Sequence, residues 1–259
     1  IRKNTTTKAF FMKESDIIFI DLPRFNGDAD RRPEKLYGHL PHLGLCSLAA
    51  VAEKGGYKVS ILDAIALQYS PRQIVAEVKA RNPRYVGISA MTHTISSASV
   101  VAKNIKENLN DVKVILGGVH ITSATEETLN RYPGCFDVCV LGEGEATIVE
   151  LLKTLDNGGD LNAVQGLAYL SDNQVLRTGP REYIHNLDEL PFPAWHLLPD
   201  IHKHYGATLI SAGNKVSNHL LTSRGCPGRC IFCDTSVNGH KIRGYSSDYV
   251  LEMIEILHK

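Results

Sequence analysis

Cys226, Cys230 and Cys233 stand within eight residues of one another in the segment Thr222-Ser-Arg-Gly-Cys-Pro-Gly-Arg-Cys-Ile-Phe-Cys233. The spacing is C-x-x-x-C-x-x-C. Three thiolates so close repel one another unless a shared ion or cluster compensates their charge, so they must wrap one compact metal centre. Gly225 and Gly228 relieve the backbone crowding that such a wrap demands. Arg224 and Arg229 are expected to offset negative charge near the thiolates.

Two centres fit three clustered cysteines. A [4Fe–4S] cubane held by three thiolates leaves one iron without a protein ligand and open to a small molecule, by the logic that keeps a position free at catalytic zinc. The rival is a Cys3His zinc site completed by His240, seven residues after Cys233. Structural zinc usually pairs C-x-x-C units, and the chain has no second one. The other three of the six cysteines, Cys46, Cys135 and Cys139, lie in apolar surroundings and read as small buried hydrophobes, not as parts of a disulfide framework.

Upstream elements must position that loop. From Asp16 to about Asp156, short β-branched runs alternate with longer segments of helical period. The expected strands are 17–21, 58–63, 85–89, 113–116 and 137–141, and the expected helices 44–54, 71–81, 96–108, 122–131 and 146–155. Near-continuous apolar strands such as Asp16-Ile-Ile-Phe-Ile-Asp21 fit a parallel sheet covered on both faces. Right-handed crossovers then give an α/β fold with a doubly wound, five-stranded parallel sheet that takes its ligand beyond the carboxyl ends of the strands.

After Asp156 the period changes. Gly166–Leu170 and Gln174–Arg177 flank the turn-rich Ser171-Asp-Asn173 and predict a β-hairpin. Three prolines and Trp195 between Asn186 and Pro199 predict an irregular connector. A new unit is expected near Val216, with 218–222 as its first strand. The division is thus a tail at 1–15, a first domain at 16–156, a hairpin and connector at 157–215, and a second domain from 216 to 259.

The cysteine segment, following a short strand, resembles the signature loop of the radical S-adenosylmethionine superfamily, which opens a partial βα barrel. The resemblance implies that the open iron is chelated by the methionine moiety of S-adenosylmethionine and that electron transfer into the sulfonium yields a 5′-deoxyadenosyl radical. It also implies that Phe232, before the third cysteine, packs near the adenine; a plain core aromatic is the alternative.

The first domain resembles the flavodoxin-like cobalamin-binding domain of one branch of that superfamily. The resemblance is carried by Pro41-His-Leu-Gly-Leu45 at the first helix, Ser89-Ala-Met91 after strand three, Gly117-Gly-Val-His120 after strand four, and Gly142-Glu-Gly-Glu145 after strand five. Ser89, Met91, Gly117, Gly118, His120, Gly142, Glu143 and Gly144 are therefore the expected cobalamin contacts. The glycines let a bulky macrocycle and its tail approach the backbone, and Ser89 offers a hydrogen bond. For Glu143 and Glu145 the plainer reading is that they start the fifth helix, at the positive end of its dipole. The connector 187–195 also resembles the inter-domain segment of that branch. Methionine synthase-type domains place a histidine under cobalt from a D-x-H-x-x-G loop. The stretch from Asp21 to Gly44 lacks that motif, and His39 and His42 have no glycine three residues on, so no histidine is expected below cobalt.

The resemblance implies a radical enzyme using a [4Fe–4S] cluster, S-adenosylmethionine and cobalamin. Most such enzymes are methyltransferases on unactivated carbon or phosphorus; some carry out ring formation or rearrangement. Two alternatives stand beside it: a radical enzyme whose first domain has lost cobalamin, and a zinc-stabilised binding module. A small-molecule, natural-product or lipid-type substrate and an external electron donor such as flavodoxin or ferredoxin are the implied partners. Lys plus Arg equals Asp plus Glu at 28 each, so no basic excess points to nucleic acid. The longest apolar stretch, Leu43 to Ala52, is too short to span a bilayer, and the start lacks a secretory pattern, which predicts a cytoplasmic protein. The chain begins at Ile1 and ends at Lys259 in a segment of helical spacing with no stop signal, which predicts a piece of a longer protein lacking most of its barrel.

Overall fold

A computed structural model describes residues 15–25, 39–206 and 218–258 of the 259-residue chain. The expected tail lies outside the described residues apart from Ser15, as does the expected start of the second unit at Val216.

Five parallel strands alternate with helices as the apolar runs require. The elements are β1 (Ile17–Asp21), α1 (Leu43–Lys54), β2 (Val59–Asp63), α2 (Pro71–Arg81), β3 (Tyr85–Ser89), α3 (Ile95–Asn108), β4 (Lys113–Gly117), α4 (Val119–Ser123), α5 (Thr125–Arg131), β5 (Val138–Val140) and α6 (Glu145–Asp156). The strands lie in the order β2-β1-β3-β4-β5, the doubly wound pattern whose switch point falls between β1 and β3. Ser70 and Gln73 form a reciprocal capping box at the start of α2, and Asn82 closes it in the left-handed conformation.

The sheet is wider than expected. The hairpin strands β6 (Leu167–Ser171) and β7 (Gln174–Arg177) extend it antiparallel from β5, with Val140 facing Leu167, making seven strands. The hairpin therefore shares the first sheet.

Two local expectations change. The single helix expected at 122–131 is two helices broken at Ala124. Hydroxyls of Thr122, Ser123, Thr125 and Thr128 each bond back to the carbonyl four residues earlier, which loosens the regular ladder there. The strand expected at 218–222 does not form, although the Tyr245 N–H donates to the Thr222 carbonyl at 3.0 Å. The ladder falls instead on β8 (Ser223–Arg224) and β9 (Arg243–Gly244), an antiparallel ribbon. Gly225, at φ +86°, turns the chain so tightly that a Cβ there would meet the Lys241 carbonyl at 2.1 Å.

One core lies between the sheet and α2, α3, α4 and α5. The other lies under α1 and α6 and is closed by Trp195 of the connector and by Tyr249 and Met253 of α8 (Ser247–His258). A short helix, α7 (Ile201–His204), ends the described part of the connector. Among the described residues no helix is long and apolar enough to cross a membrane.

Candidate functional site

The loops after β3, β4 and β5 converge at the carboxyl edge of the sheet, and a cavity of about 590 Å³ opens there beneath the cysteine loop. Ser89, Met91, Gly117, Gly118, Gly142, Glu143 and Gly144 all line it, as do Cys226 and Cys233. The loop glycines and two of the three cysteines thus face one space, with Cys230 outside the lining.

Sterics explain Gly118. Gly118 sits at φ +100°, and a Cβ there would lie 2.8 Å from the Ala90 carbonyl and 3.0 Å from Ser89 Oγ. The loops after β3 and β4 therefore touch through bare backbone. Below them the cavity runs inward between the sheet and α1 and α6, past Leu45, Leu48, Phe19, Gly87, Ile115, Val140 and Ile148. Gly87 faces Phe19 across the β1–β3 ladder, and a Cβ at 87 would fall 2.6 Å from the Phe19 ring. This apolar slot suits a flat, elongated tail, and the polar rim above it suits an amide-bearing periphery. The slot residues were missed in the sequence. The one local signal was a glycine inside the strand Tyr85-Val-Gly-Ile-Ser89, where close approach is the usual reason for glycine.

The cysteine loop carries an open cradle. All three cysteines are exposed, and a Cβ at Gly228 would lie 3.4 Å from Cys226 Sγ and 3.8 Å from Cys230 Sγ, so the glycine keeps open the cradle between them. Among the described residues the three sulfurs do not form a group within 4.8 Å of one another. His240, the expected fourth zinc ligand, has its Nε2 at 3.0 Å from Thr235 Oγ1.

Other expected residues end up elsewhere. Phe232 is 89% exposed and outside the cavity lining. His120 is also outside the lining; its ring nitrogens lie 3.1 Å from Thr92 Oγ1 and 3.1 Å from Thr128 Oγ1, and burial holds its pKa below the usual imidazole value. Arg224 does not face the thiolates as expected. It is drawn instead to Glu145 at 2.6 Å and Glu143 at 3.3 Å, the nearest buried carboxylates.

Glu143 carries more than the start of a helix. Its carboxylate accepts two bonds from Arg243, at 2.8 and 2.9 Å, and one from the Ile184 N–H at 2.9 Å. Burial pushes its pKa up, but those bonds and the two guanidinium charges outweigh it and hold the carboxyl below the usual range. Glu145 accepts from Ser47 at 2.9 Å. On the other side of the loop, Ser123 of α4 donates to Asp234, beside Cys233.

A second cluster lies at the ends of β1 and β2, where Asp21, His39 and Asp63 offer ligand atoms within 4.8 Å of one another. The Asp63 oxygens are already taken by His39, by the Tyr205 hydroxyl at 2.7 Å and by the Ala66 N–H at 2.8 Å. His39 also stacks on Tyr205. This network ties the connector to the sheet.

Residues 34–152 match the B12 binding domain family. An uncharacterized methyltransferase of Pyrococcus horikoshii is 38% identical over 221 residues, covering 84% of this chain and 46% of that protein. The anaerobic magnesium-protoporphyrin IX monomethyl ester cyclase of Synechocystis is 33% identical over 75% of this chain and 38% of its own length. The chain thus spans less than half of the curated relatives it matches. Among solved structures, the cobalamin-dependent S-adenosylmethionine radical enzyme OxsB, with aqua-cobalamin and S-adenosylmethionine bound, superposes with a TM-score of 0.75. That match has 21% identity and covers 94% of this chain and 31% of OxsB, a likeness of fold.

Proposed function

The chain belongs to the family in which a B12-binding domain precedes a radical S-adenosylmethionine domain, and on that premise we propose that it binds both cofactors in one shared cavity. The single observation that carries this reading is the placement of Cys226 and Cys233 in the lining formed by Ser89, Gly117, Gly118, Gly142 and Gly144. In this reading residues 16–156 hold cobalamin, 157–215 connect, and the chain from 216 begins the radical domain.

Cys226, Cys230 and Cys233 would hold three irons of a [4Fe–4S] cluster, with the fourth left for S-adenosylmethionine. The bare backbone at Gly117, Gly118, Gly142 and Gly144 would seat the corrin, Ser89 would bond its periphery, and the slot from Leu45 to Ile148 would take the nucleotide tail. When bound, the cluster passes an electron to S-adenosylmethionine and cobalamin carries a methyl group.

Methyl transfer to an unactivated carbon or phosphorus centre of a small molecule is the reaction we assign, supported by the name of the Pyrococcus horikoshii relative. Ring formation is the competing outcome, favoured by the name of the Synechocystis relative. A one-electron donor such as flavodoxin or ferredoxin would supply the electron, and the exposed thiols fit the reducing cytoplasm.

Anaerobic reconstitution with iron, sulfide and hydroxocobalamin, followed by metal analysis and visible spectroscopy, tests the reading. Iron with about one cobalt per chain is expected. Iron without cobalt would leave a radical protein with a non-cobalamin first domain, and zinc alone would leave a binding module.

A further inference from the structure

The cysteine loop is not simply draped over the cavity. Residues 225–242 form the excursion between β8 and β9, and Arg224 and Arg243 are register partners at its base. Both guanidinium groups point the same way, into the loop after β5 and the first residue of α6. Glu143 and Arg243 are 4% and 5% exposed, and Arg224 and Glu145 are 10% and 7% exposed. Two arginines and two glutamates therefore form a buried, charge-balanced quartet across the seam between the sheet domain and the cysteine loop.

A buried ion quartet is a poor device for stability alone, because desolvating four charges offsets most of their attraction. What it supplies is geometry: a planar guanidinium forked onto a carboxylate fixes distance and angle together. The fork here is complete. Arg243 also donates to the Ile184 carbonyl at 2.7 Å and the Asn238 carbonyl at 2.9 Å, and lies over the Tyr183 ring at 5.0 Å. Glu143 sits between Gly142 and Gly144, in the loop that lines the cavity.

We propose that Glu143, through Arg243, is a positioning residue that sets how far the cysteine loop stands from the glycine-lined floor of the cavity. Arg224 and Glu145 brace the same seam. Resting on the cofactor reading above, this makes the pair the determinant of the separation between cluster and cobalt.

The test uses the full-length protein loaded with cluster and cobalamin, and pulsed dipolar electron paramagnetic resonance between cobalt(II) and the reduced cluster. A narrow distance distribution is expected in the starting protein. Arg243→Lys, at a residue outside the cavity lining, should broaden or shift it while iron and cobalt content stay unchanged. An unchanged distribution in this variant at full cofactor content would overturn the proposal. If the starting protein takes up no cobalamin, the cofactor reading fails, and hydrogen exchange across residues 225–242 of the cobalamin-free protein judges the clasp alone. About tenfold faster exchange in Arg243→Lys supports it, and equal exchange overturns it.

Discussion

Asp21 and Asp63 are register partners at the carboxyl ends of β1 and β2, and the Asp63 carboxylate accepts from the Tyr205 hydroxyl at 2.7 Å and faces His39 Nε2 at 2.9 Å. Burial, with Asp63 adding to it against the opposing pull of His42 and His39, raises the Asp21 pKa from 3.8 to about 6. A carboxyl whose folded-state pKa is raised costs stability as pH rises through that value, and costs nothing below its unfolded pKa. Asp21→Asn should therefore stabilise the fold by about 1–2 kcal/mol above pH 6, with the gain vanishing below pH 4. Thermal melts at pH 7.5 and pH 4 read the difference. A gain equal at both would show that ionisation of Asp21 is not the cause.

The cysteines divide by exposure. Cys46 is buried in α1, and burial, reinforced by the nearby Asp63 and Asp21, pushes its thiol up to about 12, which leaves it inert. Replacing Cys226, Cys230 or Cys233 with Ala should abolish the broad visible absorption of the reconstituted protein and take iron well below about four per chain. Cys46→Ala should preserve both. One equivalent of zinc with no iron uptake would sink the cluster assignment.

Glu143 gives the fold an acid-sensitive seam. Because its carboxyl is held below the usual value of 4.5, the stability it contributes is complete above that pH and is lost as pH falls through the lower, folded-state pKa. Glu143→Gln leaves Arg243 buried with a half-matched partner and should cost about 3 kcal/mol at pH 7. Urea titrations should show the gap to the starting protein narrowing as pH falls below 4.5. A gap independent of pH would remove the charge from the explanation.

Backbone order was more legible than side-chain destination. Runs such as Ile17-Ile-Phe-Ile20 carry their strand assignment in four residues, and all five parallel strands fall where the apolar pattern places them. The break at Ala124 was not legible, since hydroxyl back-bonding by Thr122 and Ser123 leaves hydrophobic spacing intact. Nor was the fate of Arg224. Beside Cys226 in sequence, it looks like a counter-charge for thiolates, but its partners Glu143 and Glu145 lie about 80 residues away, and only the folded seam brings them together. Gly118 could be singled out as a turn glycine, whereas the reason for it, the Ala90 carbonyl pressed against its missing Cβ, belongs to another loop.

The last expectation concerns the face of cobalt that the protein would present from below. His42 lines the cavity, so it is the described histidine best placed to reach a bound corrin. Its Nδ1, however, accepts the Leu45 N–H at 3.2 Å and caps α1. A neutral imidazole that accepts at Nδ1 carries its proton on Nε2, which then has no lone pair to give a metal. Ligating histidines do the opposite, donating one N–H to a nearby acceptor while the other nitrogen binds. His39 faces Asp63 Oδ2 through Nε2 at 2.9 Å, as a ligating histidine could, but it lies outside the cavity lining. Cobalamin should therefore bind here without a histidine beneath cobalt, leaving that face weakly donated, which favours the low-valent state that accepts a methyl group. Electron paramagnetic resonance of the bound cobalt(II) form should lack superhyperfine splitting from an imidazole nitrogen, and His42→Ala should leave the spectrum unchanged while weakening α1 by about 1 kcal/mol through loss of the cap. Nitrogen splitting in the starting protein that disappears in His42→Ala or His39→Ala would refute the assignment.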